Sequence, residues 1–173
     1  YEKAQGYGEA MAKVASGLLE EAPAARIDEG LYATEARWTQ HVDNAYFTLA
    51  ELGGLLDEFD VDKSGGVLKI DIEASYFRLG ESLSGVSFPG EALTRTGLAI
   101  KDELRTPHKL FLGLTRATLG YFIRQDEWKI GRNDDYEETV SPGPDAGETA
   151  IGAITKLIAA DPLTSKPAGE AHP

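Results

Sequence analysis

Cysteine is absent from the 173 residues, methionine occurs once and histidine three times. Without thiols there is no disulfide framework, no thiolate metal site and no cysteine nucleophile, and the redox compartment is left open. Long apolar runs are missing too. No segment approaches the roughly 18 apolar residues that a membrane-spanning helix needs. Positive charge is scarce: 17 Lys and Arg stand against 29 Asp and Glu, a formal charge of −12. Such a field repels phosphate backbones and anionic membranes, so nucleic acid is not expected as a partner. What is present, 42% hydrophobic and 27% charged residues, describes a soluble globular chain of one-domain size, with which secretion is compatible. The start at Tyr1, with no basic-then-apolar leader, points to a processed or partial chain.

From Glu2 to Glu21, apolar residues including Tyr7, Met11, Val14 and Leu18 recur at helical spacing until Pro23, which predicts an amphipathic helix. Alternation between Ile27 and Val42 predicts a strand. A short helix over Asn44 to Phe59, weakened by Gly53-Gly54, comes next. A hairpin of strands Val67 to Leu79 and Leu83 to Phe88 follows. A helix over Ala92 to Arg105 leads to a short buried strand near Leu110 to Leu114, and a last helix covers Gly147 to Ala160. The pattern predicts an α/β fold, a mixed sheet with a βαβ unit and flanking helices, belonging to a larger two-layer or sandwich-like hydrolytic domain. Residues 1–160 form the domain, and 161–173, rich in Pro, read as a flexible tail.

Two stretches carry candidate chemistry. Asp60-Val-Asp-Lys-Ser-Gly-Gly-Val-Leu-Lys-Ile-Asp71 has the spacing of a calcium loop, with Asp60, Asp62, Ser64 and Asp71 as ligand positions for Ca2+. Against it, position twelve is the shorter Asp71 rather than Glu, and the residues after the loop alternate like a strand. A plain Asx-type turn is the competing reading. The second stretch is "FPGE", ending at Glu91. The βαβ crossover predicted around it makes its two strands parallel, so their C-terminal ends meet at one sheet edge. Glu91 leaves one strand there, and the segment Thr115 to Tyr121 leaves the other. Spacing alone also allows Glu91 to complement a helix N-terminus, Tyr121 to be an interface aromatic and Tyr136 an exposed loop phenol.

The segments "RLGESLSGVSFPGEALTRTGLAIKDEL", "GLTRATLGYFI" and "YEETVSPGPDAG" together resemble the neutral and alkaline ceramidase family of zinc amidohydrolases. The resemblance runs loosely from "YGEAMA" to Ala160 and is specific at these three motifs. It implies that Glu91 and Tyr121 are Zn2+ ligands completing a site begun by two His residues, and that Tyr136 steadies the oxyanion formed from an N-acyl amide, a ceramide-like lipid or a relative of one. The Tyr136 match needs a few extra residues, "IRQDEWKIGRN". The family's His pair and Ser nucleophile have no counterpart here. His41, His108 and His172 lack H-x-H or H-E-x-x-H spacing. The expected partner is therefore the N-terminal half of the same domain, or another subunit supplying it, and the chain alone is expected to be inactive. Two other readings stay open: a calcium-binding module, and a non-catalytic acidic structural or assembly subunit that keeps the fold.

Overall fold

A computed structural model describes residues 1–22, 30–115 and 117–163. Helix α1, Glu2–Glu21, has the expected bounds and buries none of its residues. Strand β1, Leu31–Val42, exposes alternate residues along its length; the first three residues of the predicted strand, 27–29, lie outside the described chain. Helix α2, Ala45–Leu52, starts where Asn44 accepts a hydrogen bond from the Tyr46 N–H, the usual service of an Asn N-cap. It stops at Gly53-Gly54 rather than running to Phe59, Gly54 having a left-handed φ of 73°.

Strand β2, Asp60–Asp62, was not anticipated; it pairs antiparallel with β3, Leu68–Leu79. Strand β3 also pairs along its whole length with β1, and its C-terminal end turns into β4, Leu83–Ser87. Two-residue strand β5, Glu91–Ala92, follows, then helix α3, Thr94–Glu103, and strand β6, His108–Leu112, which runs parallel to β4. The predicted βαβ unit is therefore β4-α3-β6, and it completes a mixed five-stranded sheet of order β1-β3-β4-β6 with β2 beside β3. Strand β7, Tyr121–Phe122, forms a separate parallel pair with β5, and short helix α4, Tyr136–Thr139, precedes α5, Ala146–Ala159.

Period-two alternation decides what the sheet buries. Ile70, Ile72, Ala74 and Tyr76 turn inward and are all at most 2% exposed, with α5 packed on β1 and β3 and α3 on β6. The opposite face carries cross-strand polar pairs, Arg37 with Glu73 at 3.2 Å and Thr39 with Asp71 at 2.7 Å. Beneath the helices Phe88 meets Phe122 edge-on at 4.9 Å, joining the end of β4 to the β5-β7 pair.

The domain extends past Ala160. Asp161, assigned to the tail by composition, is fully buried and accepts hydrogen bonds from Tyr76 Oη at 2.9 Å, Arg78 Nε at 2.6 Å and the Leu163 N–H at 3.0 Å. The rest of the predicted tail, 164–173, lies outside the described residues.

Candidate functional site

Pro89 and Gly90 end β4, and the chain then enters a seam of backbone hydrogen bonds with the segment after β6. The Leu114 N–H donates to Gly90 O at 3.0 Å, the Leu119 N–H to Pro89 O at 3.1 Å, and the Glu91 N–H to Gly120 O at 2.9 Å. Thr115 adds its hydroxyl, which accepts from the Phe88 N–H at 2.9 Å. Leu114 takes a left-handed φ of 55° to make its contact, a costly conformation for a residue that is not Gly.

Two glycines let this seam close. A Cβ on Gly90 would overlap Gly120 O and the Phe122 ring, and a Cβ on Gly120, whose φ is +85°, would overlap Val140 O. With both side chains absent, β5 and β7 pair in register so that Glu91 stands directly opposite Tyr121. The Glu91 side of that pairing corrects one reading of the sequence. Helix α3 begins at Thr94 and has no acidic residue in its first turn, so Glu91 does not complement a helix N-terminus; the Pro-Gly break and the pairing with Tyr121 hold it in extended backbone.

The third residue arrives from the other side. The Tyr121 N–H donates to Val140 O at 2.9 Å, and Asn44 Nδ2 donates to Glu138 O at 3.0 Å and Ser141 O at 2.7 Å, so α4 is tied to both β7 and α2. Ahead of α4, Asn133, Asp134 and Asp135 take consecutive left-handed φ angles of 48°, 54° and 55°. Asn and Asp tolerate that region best among residues with side chains. This turn brings the half-exposed Tyr136 ring to 6.3 Å from the Tyr121 ring, inclined at 68°. Burial, and then the negative charge of Glu91 and the neighbouring Tyr136 and Glu137, raise the Tyr121 phenol above its ordinary value, with a hydrogen bond to Glu91 acting in the same direction. Tyr121 is thus a protonated donor at neutral pH.

Glu91, Tyr121 and Tyr136, taken from three separate motifs, therefore meet. Next to Tyr121 along the chain, Leu119 and Gly120 line a largely apolar cavity of about 410 Å³ together with Phe47, Leu56, Phe59 and Val140. Sequence reasoning did not anticipate the cavity, because its wall comes from α2 and from the turns after it. Among the described residues no group of three or more His, Cys, Asp or Glu is placed to hold a metal ion. His41 and His108 are exposed on β1 and β6, and His172 lies outside the described residues. Glu91 and Tyr121 together bring two oxygen donors, a carboxylate and a phenol, and no imidazole.

Three of the four candidate calcium ligands, Asp62, Ser64 and Asp71, have other side-chain partners. Asp60 and Asp62 lie in β2, where Asp60 stands opposite Asp71 and Asp62 opposite Lys69. Asp62 accepts from the Ser64 N–H at 2.7 Å and the Ser64 hydroxyl at 2.9 Å and pairs with Lys69 at 3.3 Å, while Asp71 accepts from Thr39. This is the geometry of an Asx-type turn.

No protein-family profile matches the chain, and neither does any curated protein. Among solved structures, the neutral ceramidase from Pseudomonas aeruginosa is similar to it with a TM-score of 0.45 and 18% sequence identity, over 56% of this chain and 16% of that one. A likeness at that level says nothing of the chemistry of these residues.

Proposed function

We propose that the chain is one part of a zinc-dependent amidohydrolase acting on an N-acyl amide, ceramide-like or related. The observation that supports this reading is the pairing of Glu91 with Tyr121 and the contact of the Tyr121 and Tyr136 rings, with an apolar cavity lined by the adjoining Gly120 and Val140. Glu91 and Tyr121 would offer a carboxylate and a phenolic oxygen to the metal, with imidazole ligands and a nucleophile contributed by another segment. When bound, zinc supplies Lewis acidity toward a carbonyl oxygen. Tyr136, half-exposed beside Tyr121, would donate a hydrogen bond from its hydroxyl to an oxyanion. The apolar wall from Phe47 to Val140 suits an acyl chain.

The test is metal content and amide hydrolysis of the native particle, purified without added zinc. About one zinc per copy, lost together with hydrolysis in Glu91→Gln and Tyr121→Phe, supports the reading. A native particle that holds no zinc and hydrolyses no amide overturns it. A second reading, a non-catalytic assembly subunit, draws on the apolar stripe of α1, which is exposed throughout. It requires that a partner bind while Glu91 and Tyr121 can be replaced without effect.

A further inference from the structure

Strand β1 ends the sheet, and among the described residues no second strand pairs with its outer edge. The edge is long. Every residue from Leu31 to Val42 pairs with β3 in unbroken register, so the other side of the same backbone offers a row of N–H and C=O groups of equal length. Such edges are normally blunted by Pro, by a bulge or by a charge on the buried face. Strand β1 has none of these: it contains no Pro or Gly, its register skips no residue, and its half-buried or buried side, Tyr32, Thr34, Ala36, Trp38 and Gln40, carries no charge. The exposed side holds Glu35 and Arg37, one on each side of Ala36.

That spacing is self-complementary. A second copy laid antiparallel along the edge, with its helices on the same side of the sheet, sets residues that share a face opposite one another. A two-fold axis at Ala36 places Glu35 of each copy opposite Arg37 of the other, so the pair forms twice. An axis at residue 35 or 37 instead places Glu35 opposite Glu35, or Arg37 opposite Arg37, and like charges directly opposite are destabilising. The charges therefore select one register, in which residues 31 to 41 of the two copies pair. Arg37 can serve two carboxylates. Its Nη2 reaches Glu73 of the same chain at 3.2 Å, and the fork of the guanidinium has further N–H donors. On the helix side, the same register sets Trp38 opposite Thr34 of the other copy, an aromatic beside a β-branched side chain.

We infer that the outer edge of β1 binds a second copy of this chain, antiparallel and with Ala36 on the two-fold axis, joining two five-stranded sheets into one. Main-chain hydrogen bonds hold the copies together, and the pairs of Glu35 with Arg37 fix the register. The inference is independent of the amidohydrolase reading, since it uses none of Glu91, Tyr121 and Tyr136 and needs no zinc.

Sedimentation equilibrium of the full chain tests it, with Met11→Glu and Leu18→Glu present throughout to silence the exposed stripe of α1. A reversible dimer is expected. Glu35→Arg lowers the net negative charge, so general repulsion alone would tighten association. The register instead predicts association weaker by at least about fivefold, because like charges then face each other twice. Arg37→Glu should weaken it too. Mixed in equal amounts, the two variants should recover the parent affinity as a heterodimer, every cross-strand pair being again of opposite sign, and unchanged thermal midpoints show that both are folded. Disulfide capture reads the register separately, the chain having no cysteine of its own. Ala33→Cys mixed with Thr39→Cys should cross-link to each other and neither to itself. A monomeric parent, a Glu35→Arg dimer tighter than the parent, like-with-like cross-links, or a native particle in which a different polypeptide pairs with β1 overturns the inference.

Discussion

Gly90 and Gly120 each precede a candidate ligand, and both are needed for the same physical reason: three backbone segments approach more closely there than a Cβ allows. Gly120→Ala adds a left-handed residue to a steric overlap with Val140 O, each effect of order 1–3 kcal/mol. Chemical denaturation should show a loss of at least about 2 kcal/mol, and the Tyr121 and Tyr136 rings should separate in ring-current shifts. A loss below about 0.5 kcal/mol, within the range of an ordinary surface change, would mean that the seam is looser than described. The Tyr121 phenol gives a second handle. Burial raises it most, and the Glu91 charge raises it further. In Glu91→Gln the charge is gone while the burial remains, so the phenol should titrate at lower pH than in the parent, yet still above an ordinary tyrosine. Spectrophotometric titration at the tyrosinate band, with Tyr121→Phe to identify the signal, reads this directly. A bound cation reverses the sign, because it favours the phenolate. Zinc uptake should then release a proton and strengthen as pH rises.

Helix α5 is held to β3 at its C-terminal end by Asp161, and this clamp depends on pH. Burial pushes the Asp161 carboxyl up, but the Arg78 guanidinium, the Leu163 N–H and the Tyr76 hydroxyl outweigh it and hold the group below the usual carboxylate range. A group with a depressed folded value stabilises the protein above its unfolded value, near pH ~3.9, and loses that contribution as pH falls through the folded one. The parent should therefore lose stability steeply below about pH 4, while Asp161→Asn should lie lower at neutral pH, by roughly 3 kcal/mol for a broken buried pair, and have a flatter acid limb. Parallel curves offset by a constant would show that the carboxylate charge is irrelevant. Asp161 also shows where sequence reading stops. Its sequence neighbourhood is that of a tail, and only the chain 83 residues earlier supplies the arginine that buries it. The helices, the hairpin and the βαβ crossover were legible because their signals are local: apolar spacing, Pro and Gly breaks, and crossover handedness. Glu91 was legible as a residue but not as a conformation, since what keeps it out of the helix is its pairing with Tyr121. Strand β2 was hidden for the same reason, three polar-rich residues being recruited by an existing edge of β3. Tyr136 could have been argued more strongly from Asn133, Asp134 and Asp135, whose residue types suit the left-handed turn that aims it.

At the scale of the molecule the covering is one-sided. Helices α3 and α5 pack on one face of the sheet, while Leu110 and Leu112 on edge strand β6 are exposed, and Tyr7, Met11, Val14 and Leu18 of α1 are each more than half exposed. Exposed apolar stripes of this kind mark contact surfaces or association hazards. The four residues lie 4, 3 and 4 positions apart, the spacing of a seam along one side of a helix. A formal charge of −12 opposes the approach of two copies, and salt screens that repulsion without weakening apolar contact. Self-association of the isolated chain should therefore increase with protein concentration and also with salt, the reverse of association through ion pairs. Sedimentation at low and high salt reads the trend, and Met11→Glu combined with Leu18→Glu should abolish the salt-promoted part while leaving the thermal midpoint of the sheet domain nearly unchanged, because α1 buries none of its residues. If association instead persists in the double variant, the apolar residues of the β6 edge carry it, and Leu110→Lys, on an edge strand where a charge blocks pairing, becomes the change that removes it.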